Sequence, residues 1–399
     1  YYVNDDATTG DVYTGAIGKN TNLGSSNSPL LTITEAIQRS TPGDTIFVDA
    51  GTYPDTVFVD KKLDLRGSNY GISPNSGTRN VESKIVPPSI LYDTSFANDP
   101  NVSVPEDQTT LFVTIADSAD ETSIDGFSIS GDNPNINGYD YANMNLESTN
   151  GVISLAADSV QFSNNIVRDL NRNGFWATSS DFNGNDFFNN KVQDLLLTEN
   201  KFSNIQDTGA SGGFAVYVQS TSGTVSDNVI TNCRTGIQIQ PYAQDSSGIV
   251  SGNEIETYTL GLWFNFARSG SGPWVIERNT FKGTNPPTAS AGPYFFRCTQ
   301  EQSINTLAAG ATFQNNFFDG GSISSSSSFF STVQGHIVFG SDTSGLFTNN
   351  SIVNVDVPIN NFIASALKAP CNWYGTADTN VIDTIVGGNV DFLPRLTGG

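Results

Sequence analysis

The sequence predicts an all-β chain: a single right-handed parallel β-helix (a β-solenoid) with an N-terminal capping helix and protruding loops. Three observations lead there. First, one phrase recurs seven times between residues 162 and 352: apolar, two residues, asparagine, one residue, apolar. The copies are Phe162/Asn165/Val167, Leu197/Asn200/Phe202, Val225/Asn228/Ile230, Val250/Asn253/Ile255, Ile276/Asn279/Phe281, Phe313/Asn316/Phe318 and Phe347/Asn350/Ile352. Second, successive asparagines lie 35, 28, 25, 26, 37 and 34 residues apart. A repeat near 25 residues without helical periodicity suits one coil of a solenoid. Third, only 15% of residues are charged while 38 are glycine, a turn-rich and uncharged composition.

The elements follow in chain order. Residues 1–44 read as an N-terminal segment with the capping helix, 45–371 as the β-helix and 372–399 as a closing segment. Thr32 and Glu35 form a capping box, Ile33, Ala36 and Ile37 an apolar stripe, and Pro42-Gly43 a stop, so a helix is expected over 32–40. Thr45–Val48, Val57–Val59, Leu63–Leu65 and Leu111–Val113 read as strands. Ser123–Ile129 imitates the repeated phrase, with Phe127 in the place of asparagine. In the clearest copies a glycine and an alternating strand follow: Gly236 to Gln240, and Gly261 to Phe266. Alternation sends Ile237, Ile239, Leu262, Phe264 and Phe266 inward, and Gln238, Gln240, Trp263 and Asn265 outward. The repeated asparagine falls where the chain turns, and its amide can bond its counterpart one coil on. That makes Asn165, Asn200, Asn228, Asn253, Asn279, Asn316 and Asn350 an expected ladder. Gaps longer than 25–26 residues must leave the stack as loops, and Pro286-Pro287 and the serine run 322–328 fall in them.

Charge excludes some partners. A formal net charge of −22 argues against nucleic acid and against insertion into anionic membranes. No apolar stretch is long enough to span a bilayer. The chain starts at Tyr1 and its sole methionine is Met144, which fits a removed secretion signal and an extracellular location. Cys233, Cys298 and Cys371 are odd in number and far apart, and read as small buried hydrophobes rather than metal ligands, with one disulfide as the alternative.

These segments resemble secreted right-handed parallel β-helix proteins of the pectin-lyase-like class, of the kind that Bacteroidota-type bacteria place on their surface. The resemblance rests on Tyr1–Asp6, on Thr34–Ile37 leading into Pro42–Val48, on Ala50–Tyr53 and Leu65–Gly67. It also rests on the asparagine phrases and on Asn372–Gly375 with Gly388–Val390. It implies the architecture and a secreted origin. It implies little chemistry, because the class includes lyases, hydrolases, adhesins and stalks.

Catalytic patterns of that class do not transfer. The sole histidine, His336, lacks the Gly-His-Gly and Arg-x-Lys context of polygalacturonase-like hydrolases, and Asp5-Asp6 is expected to lie far from any coil face. A lyase would draw its base and cations from arginines such as Arg168, Arg172, Arg234, Arg268, Arg278 and Arg297. The bland alternative pairs them with neighbouring carboxylates. A glycosidase would need two carboxylates about 5–10 Å apart. Asp169, Asp207 and Glu256 each follow a repeat asparagine closely and are the candidates, although turns favour aspartate anyway. Calcium is the candidate cofactor: Asn133, Asn135, Asn137 and Asp140 loosely mimic an oxygen-rich loop, without the first Asp or the twelfth-position Glu of an EF-hand.

Aligning the strands on their glycines gives an outward column of Trp176, Ala215, Gln238 and Trp263, then one of Thr178, Tyr217, Gln240 and Asn265. Trp176 and Trp263 would stand about 14 Å apart at the spacing of neighbouring strands. Trp176, Tyr217, Gln238, Gln240, Trp263 and Asn265 are therefore the candidate glycan-binding residues. The competing expectation is that loops cover these aromatics and that Trp263 and Trp274 merely seal a seam. The leading functional expectation is a non-catalytic, secreted or surface-displayed module that binds an extracellular polysaccharide, a surface glycan or another surface protein. A polysaccharide-degrading lyase or hydrolase is the alternative, and a structural stalk or filament subunit the second.

Overall fold

The computed structural model describes residues 1–89, 112–136, 139–141, 144–148, 150–179, 192–206, 213–241, 245–265, 273–284, 297–302, 312–320, 346–354, 359–361, 367–388 and 390–397. Leu111, Pro286-Pro287, the serine run and His336 lie outside them. The fold is mostly β, with parallel strands stacked as in a β-helix. The chain divides into two compact units, Tyr1–Asp186 with Val192–Gly213, and Phe187–Lys191 with Phe214–Gly399.

In the first unit three series of parallel strands alternate along the chain. The first series pairs Tyr2–Val3, Thr45–Val48, Asp64–Arg66, Ser123–Asp125, Gln161–Ser163 and Val192–Thr198 in that order. The second pairs Gly51–Pro54, Ser83–Val86, Phe127–Ser130, Ile166–Leu170 and Lys201–Ile205. The third pairs Val57–Val59, Val113–Ile115, Asn150–Leu155 and Asn173–Thr178. Parallel pairing in register stacks like on like, so Ile46, Leu65, Ile124, Phe162 and Leu197 form one buried column. Each such side chain contributes about 1.5–3 kcal/mol by leaving water.

The N-terminal helix runs Ile33–Arg39 and buries Ile33, Ala36 and Ile37. Thr32 caps it by accepting from the Glu35 amide at 3.2 Å. Glu35 carries the other half of the expected box elsewhere, pairing with Arg39 at 2.6 Å one turn on. Asp5 is not remote from the coils, contrary to expectation. Its carboxylate accepts from the Thr52 amide at 3.3 Å and lies where a Cβ on Gly51 would clash.

The second unit repeats the plan. Its first series pairs Thr221–Ser226, Gly248–Ser251, Trp274–Glu277, Thr312–Gln314, Leu346–Thr348, Leu367–Lys368 and Val390–Asp391. Val229–Gln240 and Glu254–Asn265 are long strands that serve both remaining series. Their first halves lead to Thr280–Gly283, Phe317–Asp319 and Ser351–Val353. Their second halves lie between Phe214–Gln219 and Arg297–Gln302. Inside, Phe281 stacks on Phe318 at 5.0 Å with planes 8° apart. Trp274, 1% exposed, donates from Nε1 to the Ser246 carbonyl at 3.1 Å, and so takes a structural place. A second helix, Thr379–Ile385, absent from the sequence reading, starts on an Asp378 cap.

In both units the asparagines bond rung to rung. Asn165 N donates to Asn200 Oδ1 at 3.0 Å, and Phe127 N, on the asparagine-free copy, donates to Asn165 Oδ1 at 2.9 Å. In the second unit Asn228, Asn253, Asn279, Asn316 and Asn350 each donate N and Nδ2 to the next Oδ1 at 2.8–3.0 Å. The series ends on Asn372, inside the closing segment, whose Nδ2 reaches the Phe347 carbonyl at 2.8 Å. The residue before each asparagine is left-handed: Asn164, Glu199, Asp227, Gly252, Arg278, Asn315 and Asn349 have φ of 55–66°. That bend is what turns the amide inward, where buried backbone groups need partners.

Candidate functional site

The site begins with register on the third strand series of the second unit. Tyr217 stands opposite Gln238, and Gln238 opposite Trp263. Gln219 stands opposite Gln240. Aligning on Gly213 therefore slips by two residues. Ala215 is the counterpart of Gly236, and Tyr217 belongs to the column of Gln238 and Trp263 rather than that of Gln240. Alanine replaces glycine at that place in the coil, so the glycine alignment misplaced Tyr217 and missed Gln219. Counting backwards from the paired Gln219/Tyr217 and Gln240/Gln238 would have found both. On the last strand Gln300 follows Trp263 in register and Gln302 follows Asn265. The side chain of Asn265 lies outside the described residues.

The outward residues are more buried than an open face would leave them. Gln238 is 3% and Gln240 5% exposed, while Tyr217 and Trp263 are half-buried. Phe214 lies beside them, its ring 5.5 Å from Tyr217 and 6.2 Å from Trp263. Gln240 Oε1 accepts from the Tyr217 hydroxyl and from Gln219 Nε2, the latter at 3.3 Å. Among the described residues, two buried atoms on adjacent rungs have no hydrogen-bond partner, Gln238 Oε1 and Trp263 Nε1. One is an acceptor and the other a donor. A buried polar atom left in this way costs free energy, and a ligand or water that meets both recovers it.

Trp176 lies within the first unit. It is in register with Ile153, which follows Thr114 and Phe58. Thr114 and Ile153 are buried, whereas Phe58 is exposed and Trp176 half-buried.

The carboxylate candidates do not share one place in the coil. Asp169 sits at a left-handed turn, φ 57°, four residues after its asparagine. It accepts from Asn204 Nδ2 at 3.0 Å and Ser130 Oγ at 3.3 Å, and faces Arg168 at 3.4 Å. Glu256 lies on a strand, three residues after its asparagine, and pairs with Lys282 at 3.5 Å. Asp207 lies outside the described residues. Two of the candidate arginines have a carboxylate neighbour: Arg168 has Asp169, and Arg278 has Glu277 at 2.7 Å.

The proposed calcium loop has other work. Asn133 Oδ1 accepts from the Asn135 amide at 3.1 Å, and Asn133 Nδ2 donates to the Pro87 carbonyl at 2.7 Å. Asn137 and the Asp140 side chain lie outside the described residues. Glu147, missed in the sequence, closes this segment by accepting from the Asn133 amide at 2.6 Å. Burial, and then the Asp132 charge, push its carboxyl above the ordinary value. Burial, and then Asp169, do the same to Asp132. Among the described residues, no three His, Cys, Asp or Glu side chains converge on a metal position. Cys233 is buried with its thiol donating to the Thr231 carbonyl at 3.3 Å, Cys371 is partly exposed, and the Cys298 side chain lies outside the described residues. Among the described residues, no helix is long and apolar enough to cross a membrane.

A family model described as "Protein of unknown function (DUF1565)" matches residues 16–209, a span that stops before Phe214. No curated protein matches the sequence. Among solved structures, that of pectate lyase Pel9A is similar at 13% identity and TM-score 0.39, over 82% of this chain and 78% of that one. A complex of XylC with xylose is similar at 11% identity and TM-score 0.32, over 88% and 75%.

Proposed function

We propose that this chain is a secreted or surface-displayed β-helix module that binds an extracellular glycan along the Tyr217–Gln238–Trp263 column. The observation that carries the reading is the partnerless pair, Gln238 Oε1 and Trp263 Nε1, on neighbouring rungs beside half-buried aromatic rings. Aromatic faces take the apolar side of a sugar and amides take its hydroxyls, the combination typical of small-molecule sites. The column and its neighbour carry no carboxylate at any of their eight positions, so they offer stacking and hydrogen bonds rather than acid–base chemistry.

The test is retention on a glycan array with wild type, Trp263→Ala and Tyr217→Ala. Both variants are expected to lose at least about tenfold in affinity, in line with aromatic anchors at binding sites. Their folding is checked by unfolding midpoints and circular dichroism alongside, since Tyr217→Ala also removes a hydrogen bond to the buried Gln240 oxygen. Unchanged retention removes the site. Release of reducing ends or unsaturated products from the same panel would replace binding with catalysis. Neither retention nor turnover, together with self-assembly, would favour a structural stalk.

A further inference from the structure

We infer that residues 68–82 act as a strap across the turns of the first unit, so that four successive coils open together rather than one by one. Other coils of this unit pass from the first strand series to the second in one or two residues. Gly126 does so after Ser123–Asp125, Asn164-Asn165 after Gln161–Ser163, and Glu199-Asn200 after Val192–Thr198. Between Asp64–Arg66 and Ser83–Val86 the same passage runs from Gly67 to Glu82. Its base is closed by Asn69, which is buried. Asn69 Oδ1 accepts from the Asn80 amide at 2.6 Å, and Asn80 Nδ2 donates to the Ser68 carbonyl at 2.9 Å.

From that base the loop bonds to three turns in succession. At the first, the Asn69 amide donates to the Gly126 carbonyl at 3.3 Å and the Gly71 amide to Asp125 Oδ1 at 2.9 Å. At the second, Arg79 donates from Nη1 to the Asn164 carbonyl at 2.9 Å. Its side chain is 10% exposed and also pairs with Glu82 at 2.8 Å. At the third, Ser73 Oγ donates to Glu199 Oε2 at 2.6 Å and Asn75 Nδ2 to the Asn200 carbonyl at 3.2 Å. Gly126, Asn164 and Glu199 are the left-handed residues of those turns, with φ of 83°, 55° and 57°. The strap also accounts for the asparagine-free copy of the phrase. A Cβ on Gly126 would lie 2.3 Å from the Asn69 carbonyl carbon and the Tyr70 nitrogen, so glycine stands where the strap passes. A solenoid coil ordinarily meets only its two neighbours. Here one cross-braced loop holds its own coil and the next three, and releasing any turn costs the strap bonds that position the others.

The experiment is amide hydrogen exchange on the full chain, read by mass spectrometry in denaturant below the unfolding transition. In wild type, segments 123–130, 161–170 and 196–205 are expected to share one opening free energy and one denaturant dependence. Arg79→Ala removes a charged donor from a nearly buried place. It is expected to speed exchange in all three segments together by at least about tenfold. Gly248–Ser251 and Trp274–Glu277, in the second unit, are expected to keep their wild-type rates. Ser73→Ala deletes only the bond to Glu199 and serves if Arg79→Ala fails to fold. It is expected to speed the same three segments by about threefold. Wild-type segments that open at different free energies overturn the strap. So does acceleration confined to residues 68–82, or to the one turn whose bond was removed.

Discussion

Asn279 shows what a single ladder residue does. It is buried, its Oδ1 accepts from Asn253 N at 3.0 Å and Nδ2 at 2.9 Å, and its own Nδ2 donates to the Val250 carbonyl at 2.9 Å. Asn279→Ala strands several buried groups at once and is expected to cost about 2–4 kcal/mol in denaturant unfolding. Asn279→Asp is expected to be no better, because it sets an oxygen against Val250 O and Asn316 Oδ1. An unchanged midpoint would show that the ladder follows the fold rather than stabilising it. The residue before it gives a contrast. Arg278 has φ 55° at the place that Gly252 fills in the preceding coil, and its guanidinium is exposed beside Glu277. Arg278→Gly is expected to stay within about 1 kcal/mol of wild type, whereas Arg278→Val forces a branched side chain into the left-handed region and loses more.

At the scale of the strand, glycine decides how closely coils approach. A Cβ on Gly236 would lie 2.4 Å from the Gly261 carbonyl oxygen and 2.6 Å from Ile255 Cγ2. Gly236→Ala must displace backbone and is expected to cost about 1–3 kcal/mol by thermal unfolding. The same contacts explain what could be read in advance. The first two strand series were legible because the asparagine between them answers buried backbone groups in every coil, and few other residues do. The third series was less legible. Its entry position accepts alanine or glycine, as Ala215 and Gly236 show, so neither residue type marks the register by itself. The candidate site lies on that third series. Trp263 and Gln238 were found by alternation alone, Tyr217 was placed two residues off, and Gln219 was missed. Glu147 was beyond reach, since its role depends on a return to Asn133 that no local pattern announces.

For the molecule as a whole, charge was the most direct reading of composition, and its consequences for stability come through buried acids. Glu147 has its carboxyl raised from an ordinary 4.5 by burial and by Asp132. An acid raised on folding binds its proton more tightly in the native than in the unfolded state. Its contribution is therefore favourable below the ordinary value and declines as pH rises toward the raised one. Glu147→Gln keeps an acceptor for the Asn133 amide and removes the ionisation. The variant is expected to match wild type below pH 4.5, to gain on it between that value and the raised one, and to hold a constant lead at higher pH, as measured by denaturant midpoints across the range. A difference that stays flat with pH would mean that the buried carboxyl ionises as easily folded as unfolded.

One consequence of the asparagine series concerns how such a chain grows. Asn228 and Asn253 are 25 residues apart and make the same bonds to their successors, so this segment is a modular spacer whose two ends are interchangeable. Inserting a second copy would present each neighbour with the amide geometry it already meets. Length can thus change by whole turns without new solutions at either terminus.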